Sequence, residues 1–586
     1  MGLIPEQQQD RKNGKSENVS VHWFRHGLRL HDNPALLAAL ENCEKFYPIF
    51  IFDGEVAGTK TSGYNRWRFL HESLEDLDES FRRHGGRLYV FHGDPVEVFN
   101  KLIDEWSVTT VTFEQDPEPI WQERDNAIKA LCDKREVAWI EEISHTLWDP
   151  REIIENNGGQ PPLTYAMFNR VTKMIGRPSR PMEDPDFTRV RLPLPDDFTK
   201  FALPPLSFFV REAECEEQLN PANKWIGGET QALKLLQARL KVEEGAFLSG
   251  YTMPNQYKPD LVGPPASMSP HLRFGCLSIR KFYWGIHDTF EELQSTRTQA
   301  QNPCTTCTKQ NLNSSSSSTC TNLQTTGSKG NFQVNLTAQL IWREYFYTMS
   351  VNNPMYNKME DNPICLQIPW YSNEELLRKW TYGETGYPWI DACMKQLMHE
   401  GWIHHTARHA VSCFLTRGDL WLSWEDGLKV FDRYLLDADW SVCAGNWMWV
   451  SSSAFENCLQ CPKCFSPVMY GMHMDPSGEY IRRYLPVLRN MPLRYLFQPW
   501  KAPKEVQEKA GCVVGKDYPA PIVNHKEAAS ECKQRMEEVK AICKEIGDYC
   551  APSNSDEVRK FCFLPDHMAS GSACRADFLC EGIEGL

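Results

Sequence analysis

Short apolar runs separated by amphipathic stretches open the chain. Val19 to Phe24, Phe46 to Phe52, Leu88 to Phe91 and Thr109 to Phe113 are brief and rich in Val, Ile and aromatic residues, the habit of buried strands. Between them, Asn33 to Leu40 and Asn65 to Arg82 space their apolar residues at helical intervals. Alternation of this kind predicts a parallel sheet with crossover helices, a Rossmann-like α/β domain over residues 19–150. No G-x-G-x-x-G turn follows the first strand, so no dinucleotide is expected at that sheet edge.

Prolines and irregular stretches then break the periodicity, and residues 151–223 read as a long connector. From residue 224 to about 510, helical apolar spacing dominates and alternating strands are scarce. This part is predicted to be all-helical, so the fold class is α/β plus all-α. Residues 296–330 interrupt it with Ser, Thr, Asn and Gln, including Ser314 to Ser318. Such a stretch buries too little apolar area to offset its ordering entropy and reads as a disordered surface insertion. Residues 511–586 form a C-terminal extension with a helical stretch over Lys526 to Ile546.

Length and charge narrow the function. A chain of 586 residues exceeds what one core usually serves and has room for a large internal cofactor. No run approaches the ~20 apolar residues that cross a bilayer, and the polar start resembles neither a secretory nor a transit signal. The protein is expected in the cytoplasm, the nucleus or both. A formal charge of -14 argues against duplex DNA as the main ligand, because phosphate neutralisation by Lys and Arg supplies much of that affinity. The 21 cysteines read as reduced thiols; Cys458, Cys461 and Cys464 carry only half of a zinc pattern, and no metal is expected.

Several groupings carry candidate chemistry. Ser267 and Ser269, flanking Met268, precede an apparent helix, where hydroxyls and free N–H groups either cap the helix or receive a phosphate. Gln339, Trp342 and Arg343 fall at i, i+3 and i+4 of one helix, and His405 and Arg408 are similarly spaced. Asp437 and Asp439 flank Ala438 in an apolar stretch, so each should find a cation or donors. Among 19 tryptophans, Trp421 and Trp424 lie three apart, as on one helical face; Trp370 and Trp447 stand elsewhere. Without further information they read as core aromatics.

The stretches Trp23 to Leu36, Ser267 to Ser278, Gln339 to Glu344, Gly383 to Asp391, Gly401 to His405 and Asp437 to Trp447 resemble, in order, the cryptochrome/photolyase family. The resemblance implies FAD bound non-covalently in the helical domain, with Arg239, Ser267, Met268, Ser269, Gln339, Trp342, Arg343, His405, Arg408, Asp437, Ala438, Asp439 and Cys443 around it. It also implies that Asp437 pairs with Arg408 near the isoalloxazine, and that Trp447, Trp424, Trp370 and Trp421 carry electrons between flavin and surface.

Position 443 separates branches of the family: Asn in photolyases and vertebrate-type clock proteins, Asp in plant receptors, Cys in fly-like (type 1) receptors. Here it is Cys443. A thiol is a weak proton donor, so the expected light product is an anionic semiquinone. His404 to His409 and Tyr480 to Arg489 look closer to (6-4) photolyases and vertebrate-type proteins. The favoured expectation is a blue-light receptor for the circadian clock, without enzymatic turnover. A (6-4) DNA photolyase and a light-independent transcriptional repressor are the alternatives. By the same resemblance, a Timeless-like clock protein and a ubiquitin-ligase adaptor are expected partners. A homodimer stays open. Asp556 to Asp566 resembles the fly-like tail, with Phe561 and Phe563 as its aromatics, and is expected to move in response to light through His405.

Overall fold

Five parallel strands form the N-terminal sheet in the order β3-β2-β1-β4-β5. They are β1 (Val19–Phe24), β2 (Lys45–Phe52), β3 (Tyr89–His92), β4 (Thr110–Glu114) and β5 (Ala138–Glu142). Val19 of β1 pairs with Lys45, and Ser20 with Thr110, which sets the register of the two central pairings. The strand order reverses between β1 and β4. The fifth strand escapes a search for apolar runs because it is a sheet edge, reads Ala-Trp-Ile-Glu-Glu and buries little.

The computed structural model describes residues 17–54, 63–210, 225–248, 261, 267–301, 335–455 and 465–546. Of the insertion expected at 296–330, residues 302–330 lie outside them, as do Cys458 to Cys464 and the tail aromatics Phe561 and Phe563; residues 296–301, expected to be disordered, instead continue the helix Ile279–Gln301.

Helices α1 (Pro34–Leu40), α2 (Tyr64–Arg83), α3 (Pro95–Trp106) and α4 (Gln122–Lys134) cover the sheet. Asn33 caps α1 by accepting from the Leu36 N–H at 3.0 Å, and Pro34 supplies its preset first turn. On one face of the sheet Val21, Trp23, Ile49 and Ile51 pack with Phe99, Leu102 and Ile128 from α3 and α4. On the other, Phe24, Phe46 and Phe50 pack with Phe69 and Leu74 of α2.

That second core does not stop at the domain edge. It runs on through Trp225, Phe274, Leu277, Ile279, Trp402 and Leu436 of the C-terminal part. Polar latches flank it: Glu229 accepts from the Leu30 and His31 backbone N–H groups at 2.8 and 2.9 Å, and Arg280 pairs with Asp32 at 2.7 Å. At the seam Gly275 has φ +66°, and a Cβ there would lie 1.6 Å from the His26 carbonyl oxygen. Only a glycine fits this approach.

Within the connector, α5 (Pro150–Asn156) and α6 (Tyr165–Ile175) contribute Ile153, Phe168 and Val171 to the core of the helical part. There α7 (Glu229–Leu248), α8 (Ser269–Arg273), α9 (Ile279–Gln301), α10 (Asn335–Ser350), α11 (Pro388–Glu400), α12 (His405–Cys413), α13 (Trp424–Tyr434), α14 (Trp440–Val450), α15 (Glu479–Tyr484) and α16 (His525–Ile546) are the elements that matter for the site. Trp380, Trp389, Trp424 and Trp447 sit inside their shared core.

Candidate functional site

Helix α12 brings His405 and Arg408 against the segment that precedes α14. The Arg408 guanidinium donates to the Ile403 carbonyl at 2.9 Å and to Asp437 Oδ2 at 2.8 Å. Asp437 is almost wholly buried, and its other oxygen, Oδ1, has no hydrogen-bond partner in this structure. A buried carboxylate oxygen without a donor is costly unless a bound group supplies one. His405 is open to water, yet burial first, and then the Arg408 charge, push its imidazole down to about 4. Burial and the Arg417 charge likewise hold His409 down at about 3, with its Nε2 unpartnered.

Asp439 is the N-cap of α14: its Oδ1 accepts from the Val442 N–H at 2.9 Å, while Oδ2 accepts from the Tyr347 hydroxyl. His145 meets the same hydroxyl at 2.7 Å, and Arg343 meets His145 at 2.9 Å while pairing with Glu344 at 2.9 Å. The Ala438 carbonyl accepts from Arg273 at 2.7 Å. Arg273, Tyr347, His145 and Glu118 were not singled out from the sequence. Arg273 lies inside a quoted stretch and could have been found as a cation in an apolar run. His145 and Glu118 come from loops of the other domain, which no local pattern connects to α14.

The remaining candidates divide. The Ser267 and Ser269 hydroxyls lie 2.8 Å apart at the start of α8, beside buried Met268, and the Ser267 Oγ also accepts from the Ser269 N–H at 3.3 Å. Arg239 is buried on α7 beside Glu243, one turn on. Trp342 stacks on Tyr165 at 4.1 Å and on Trp449 at 5.6 Å, whereas Arg343 turns into the polar network and Gln339 is exposed. Shared spacing on α10 therefore does not give the three side chains shared partners.

Cys443, on the first turns of α14, is buried. Burial and the negative charge of Asp432 push its thiol up, so it stays protonated. Trp447 lies one turn further, edge-on to Phe431 at 4.9 Å and to Trp380 at 6.3 Å. Gly427 of α13 makes room for it, since a Cβ there would sit 2.2 Å from the Trp447 ring. Trp370 and Trp421 form a pair at 4.7 Å. Trp421 is not on the helix face expected from its spacing to Trp424. The helix begins at Trp424, and Trp421 precedes it in the left-handed region, φ +51°, where the chain bridges Tyr371 to Leu422. The indole N–H groups of Trp447, Trp424 and Trp370 have no acceptor, whereas Trp421 donates to the Pro369 carbonyl at 3.1 Å.

An unmatched buried acceptor beside a cation, paired hydroxyls at a helix start and a water-open histidine suit a large ligand bearing phosphates and N–H donors, and FAD fits that description. Among the described residues no helix is long and apolar enough to cross a membrane, and no His/Cys/Asp/Glu group could hold a metal. Residues 336–538 match the FAD binding domain of DNA photolyase, and residues 20–186 match the DNA photolyase family. Cryptochrome-1 of Aedes aegypti is 48% identical over 94% of this chain and 99% of its own length. Cryptochrome-1 of Drosophila melanogaster is 46% identical with the same coverage. Among solved structures, a class III photolyase from Agrobacterium tumefaciens superposes with a TM-score of 0.71 at 27% identity, covering 90% of this chain and 99% of that one. A Synechocystis cryptochrome shares the fold at 22% identity and TM-score 0.70, covering 89% of this chain and 100% of that one. With both family domains in place on one continuous scaffold, the chain belongs to the photolyase/cryptochrome family and carries its FAD-binding domain.

Proposed function

We propose that the protein is a blue-light receptor of the fly-like cryptochrome type, in which light moves an electron inward along Trp421, Trp370, Trp424 and Trp447 and the resulting change is passed to the C-terminal tail and a clock partner. The observation that carries this reading is the flank of α14. A thiol that burial keeps protonated and undissociated stands one turn before an indole in a dry core. Bound FAD supplies blue-light absorption and a one-electron oxidant.

The chain's residues supply the rest. Arg408 and Asp437 orient the ring system, and Ser267, Ser269 and Arg239 are proposed to face the phosphates. Trp447 is the first donor, and water is excluded around it by Phe431, Trp380 and Leu415. Its N–H, and those of Trp424 and Trp370, have no acceptor to take a proton, so positive charge is free to travel on. At Trp421 the Pro369 carbonyl offers a partner that holds it. Cys443 is a poor proton source, so it would leave negative charge added to a neighbouring flavin unneutralised.

Visible absorption of the dark-purified protein before and after blue light tests the reading. Oxidised flavin that converts in light, and converts far less in Trp424→Phe, supports it. A protein purified without flavin would point to the repressor. Restoration of (6-4)-lesioned oligonucleotide in light would point to the photolyase. Timeless-like and ubiquitin-ligase-adaptor partners, action in cytoplasm or nucleus, and a switching role for Phe561 and Phe563 belong to this proposal through kinship with the Cryptochrome-1 proteins.

A further inference from the structure

The four tryptophans stop one ring short of water. Trp421, the outer one, is only 2% exposed and is packed under Cys532, Met536 and Val539 of α16. Its indole N–H donates to the Pro369 carbonyl, an amide oxygen too weakly basic to take the proton. An electron vacancy delivered to Trp421 is therefore a buried positive charge that cannot shed a proton, and such a charge is costly where it sits. The groups beside it decide whether it moves on.

The oxidisable neighbours of Trp421, apart from Trp370, include Cys532, Met536 and Tyr371. Burial pushes the Cys532 thiol up to about 12, so it stays protonated and gives up an electron poorly. A thioether such as that of Met536 is harder to oxidise than an indole. Tyr371 differs from both. Its backbone N–H donates to the Trp421 carbonyl at 2.9 Å, and the chain there bridges Tyr371 to Leu422. The Arg535 guanidinium joins the two side chains, its central carbon 4.2 Å from the centre of the Tyr371 ring and 5.8 Å from that of Trp421. On its other side Tyr371 is open to water, being 52% exposed. Arg535 pairs with Glu531, which offsets part of its charge. What remains disfavours a cation on Trp421 and is indifferent to a neutral radical on a phenol.

We propose that Tyr371 is the terminal electron donor of the tryptophan path. One electron passes from the Tyr371 phenol to the Trp421 radical cation and restores the neutral indole. The phenol O–H bond breaks, its proton goes to bulk water, and a neutral tyrosyl radical is left at the surface. Loss of that proton to solvent makes the return transfer slow, so Tyr371 prolongs the separated charge. The oxidant is the Trp421 radical cation, which the light-driven path proposed above supplies, and the role of Tyr371 rests on that reading.

Electron paramagnetic resonance of the full-length, flavin-loaded protein, frozen under blue light, tests the assignment. In wild type the signal should narrow when the protein is made with ring-deuterated tyrosine. In Tyr371→Phe, a surface change that leaves the packing intact, the tyrosyl signal should give way to a tryptophan radical. That radical should decay several-fold faster than the tyrosyl of wild type. Heavy water should slow tyrosyl formation, because the step releases a proton to solvent. A nitroso spin trap present during illumination should be found on Tyr371 by peptide mapping. Arg535→Gln should return part of the signal to tryptophan. A wild-type signal from tryptophan alone, a tyrosyl signal that survives Tyr371→Phe, or trapping on a different tyrosine would each overturn the proposal. Any of these, with photoreduction still blocked in Trp424→Phe, would remove Tyr371 and leave the tryptophan path standing. Undiminished photoreduction in Trp424→Phe would remove the path and Tyr371 together.

Discussion

Arg408 and Asp437 show how unevenly a buried pair weighs on its members. Arg408→Ala leaves Asp437 buried with neither oxygen matched, a loss of about 3–5 kcal/mol for a broken pair, and flavin should leave with it. Arg408→Met with Asp437→Asn removes both charges and should cost far less in stability while still emptying the site. Urea unfolding, with flavin absorbance after gel filtration, separates the two effects. On the proposed reading, Cys443 bears on a proton rather than on binding. If Cys443 faces the flavin as proposed, Cys443→Asp supplies a proton donor there and should shift the illuminated spectrum from the near-ultraviolet and blue toward a red-absorbing, protonated form. The histidines set an acid limit. Burial lowers His22, His145, His271, His404, His405 and His409 below their ordinary value. A depressed folded value favours folding above the unfolded value, near 6.5, and that contribution is lost as pH falls toward the folded values. Each such proton steepens the loss by up to about 1.4 kcal/mol per pH unit. Urea midpoints measured at about pH 7 and about pH 5 should therefore fall steeply, and less so in His409→Phe.

Helices and strands differ in how much of themselves they write into the sequence. Four strands were legible because each carries a run of apolar residues; β3, the other sheet edge, still buries Tyr89 and Val90. β5 was not, because an edge strand ending in two glutamates has no reason to be apolar. Spacing placed Arg343 and Trp342 on α10 but not their neighbours, which arrive from α6, α14 and a loop of the other domain. Trp421 was misread for a definite reason. Three-residue spacing mimics a helix turn, while the chain there is a left-handed link following the π-helical turn Phe414–Gly418. The link gains support from α16, whose Cys532, Met536 and Val539 pack on Trp421, and from His525, which pairs with buried Asp419 at 2.7 Å. Met536→Ala should leave a gap costing about 2–5 kcal/mol and loosen α16 first. Amide hydrogen exchange over 525–546 would register that loosening, and unchanged exchange there would mean that Trp421 does not depend on the helix.

The molecule as a whole is built across its seam. Gly275→Ala puts a methyl carbon into the His26 carbonyl at a positive φ, so the domains must part or the helix shift. A loss above about 3 kcal/mol is expected, read as a lower thermal midpoint with both domains melting together. The same seam has a cost during synthesis. The sheet face bearing Phe24, Phe46 and Phe50 is covered in part once α2 is made, yet the residues that seal it include Phe274 and Leu277. Arg29 waits 246 residues for one of its partners, the Gly275 carbonyl. At ~5–20 residues per second, that aromatic face stays incompletely sealed on the ribosome for on the order of 10–50 s. Its yield in a cell will be set by what shelters the nascent chain during that interval as much as by the stability of the finished fold.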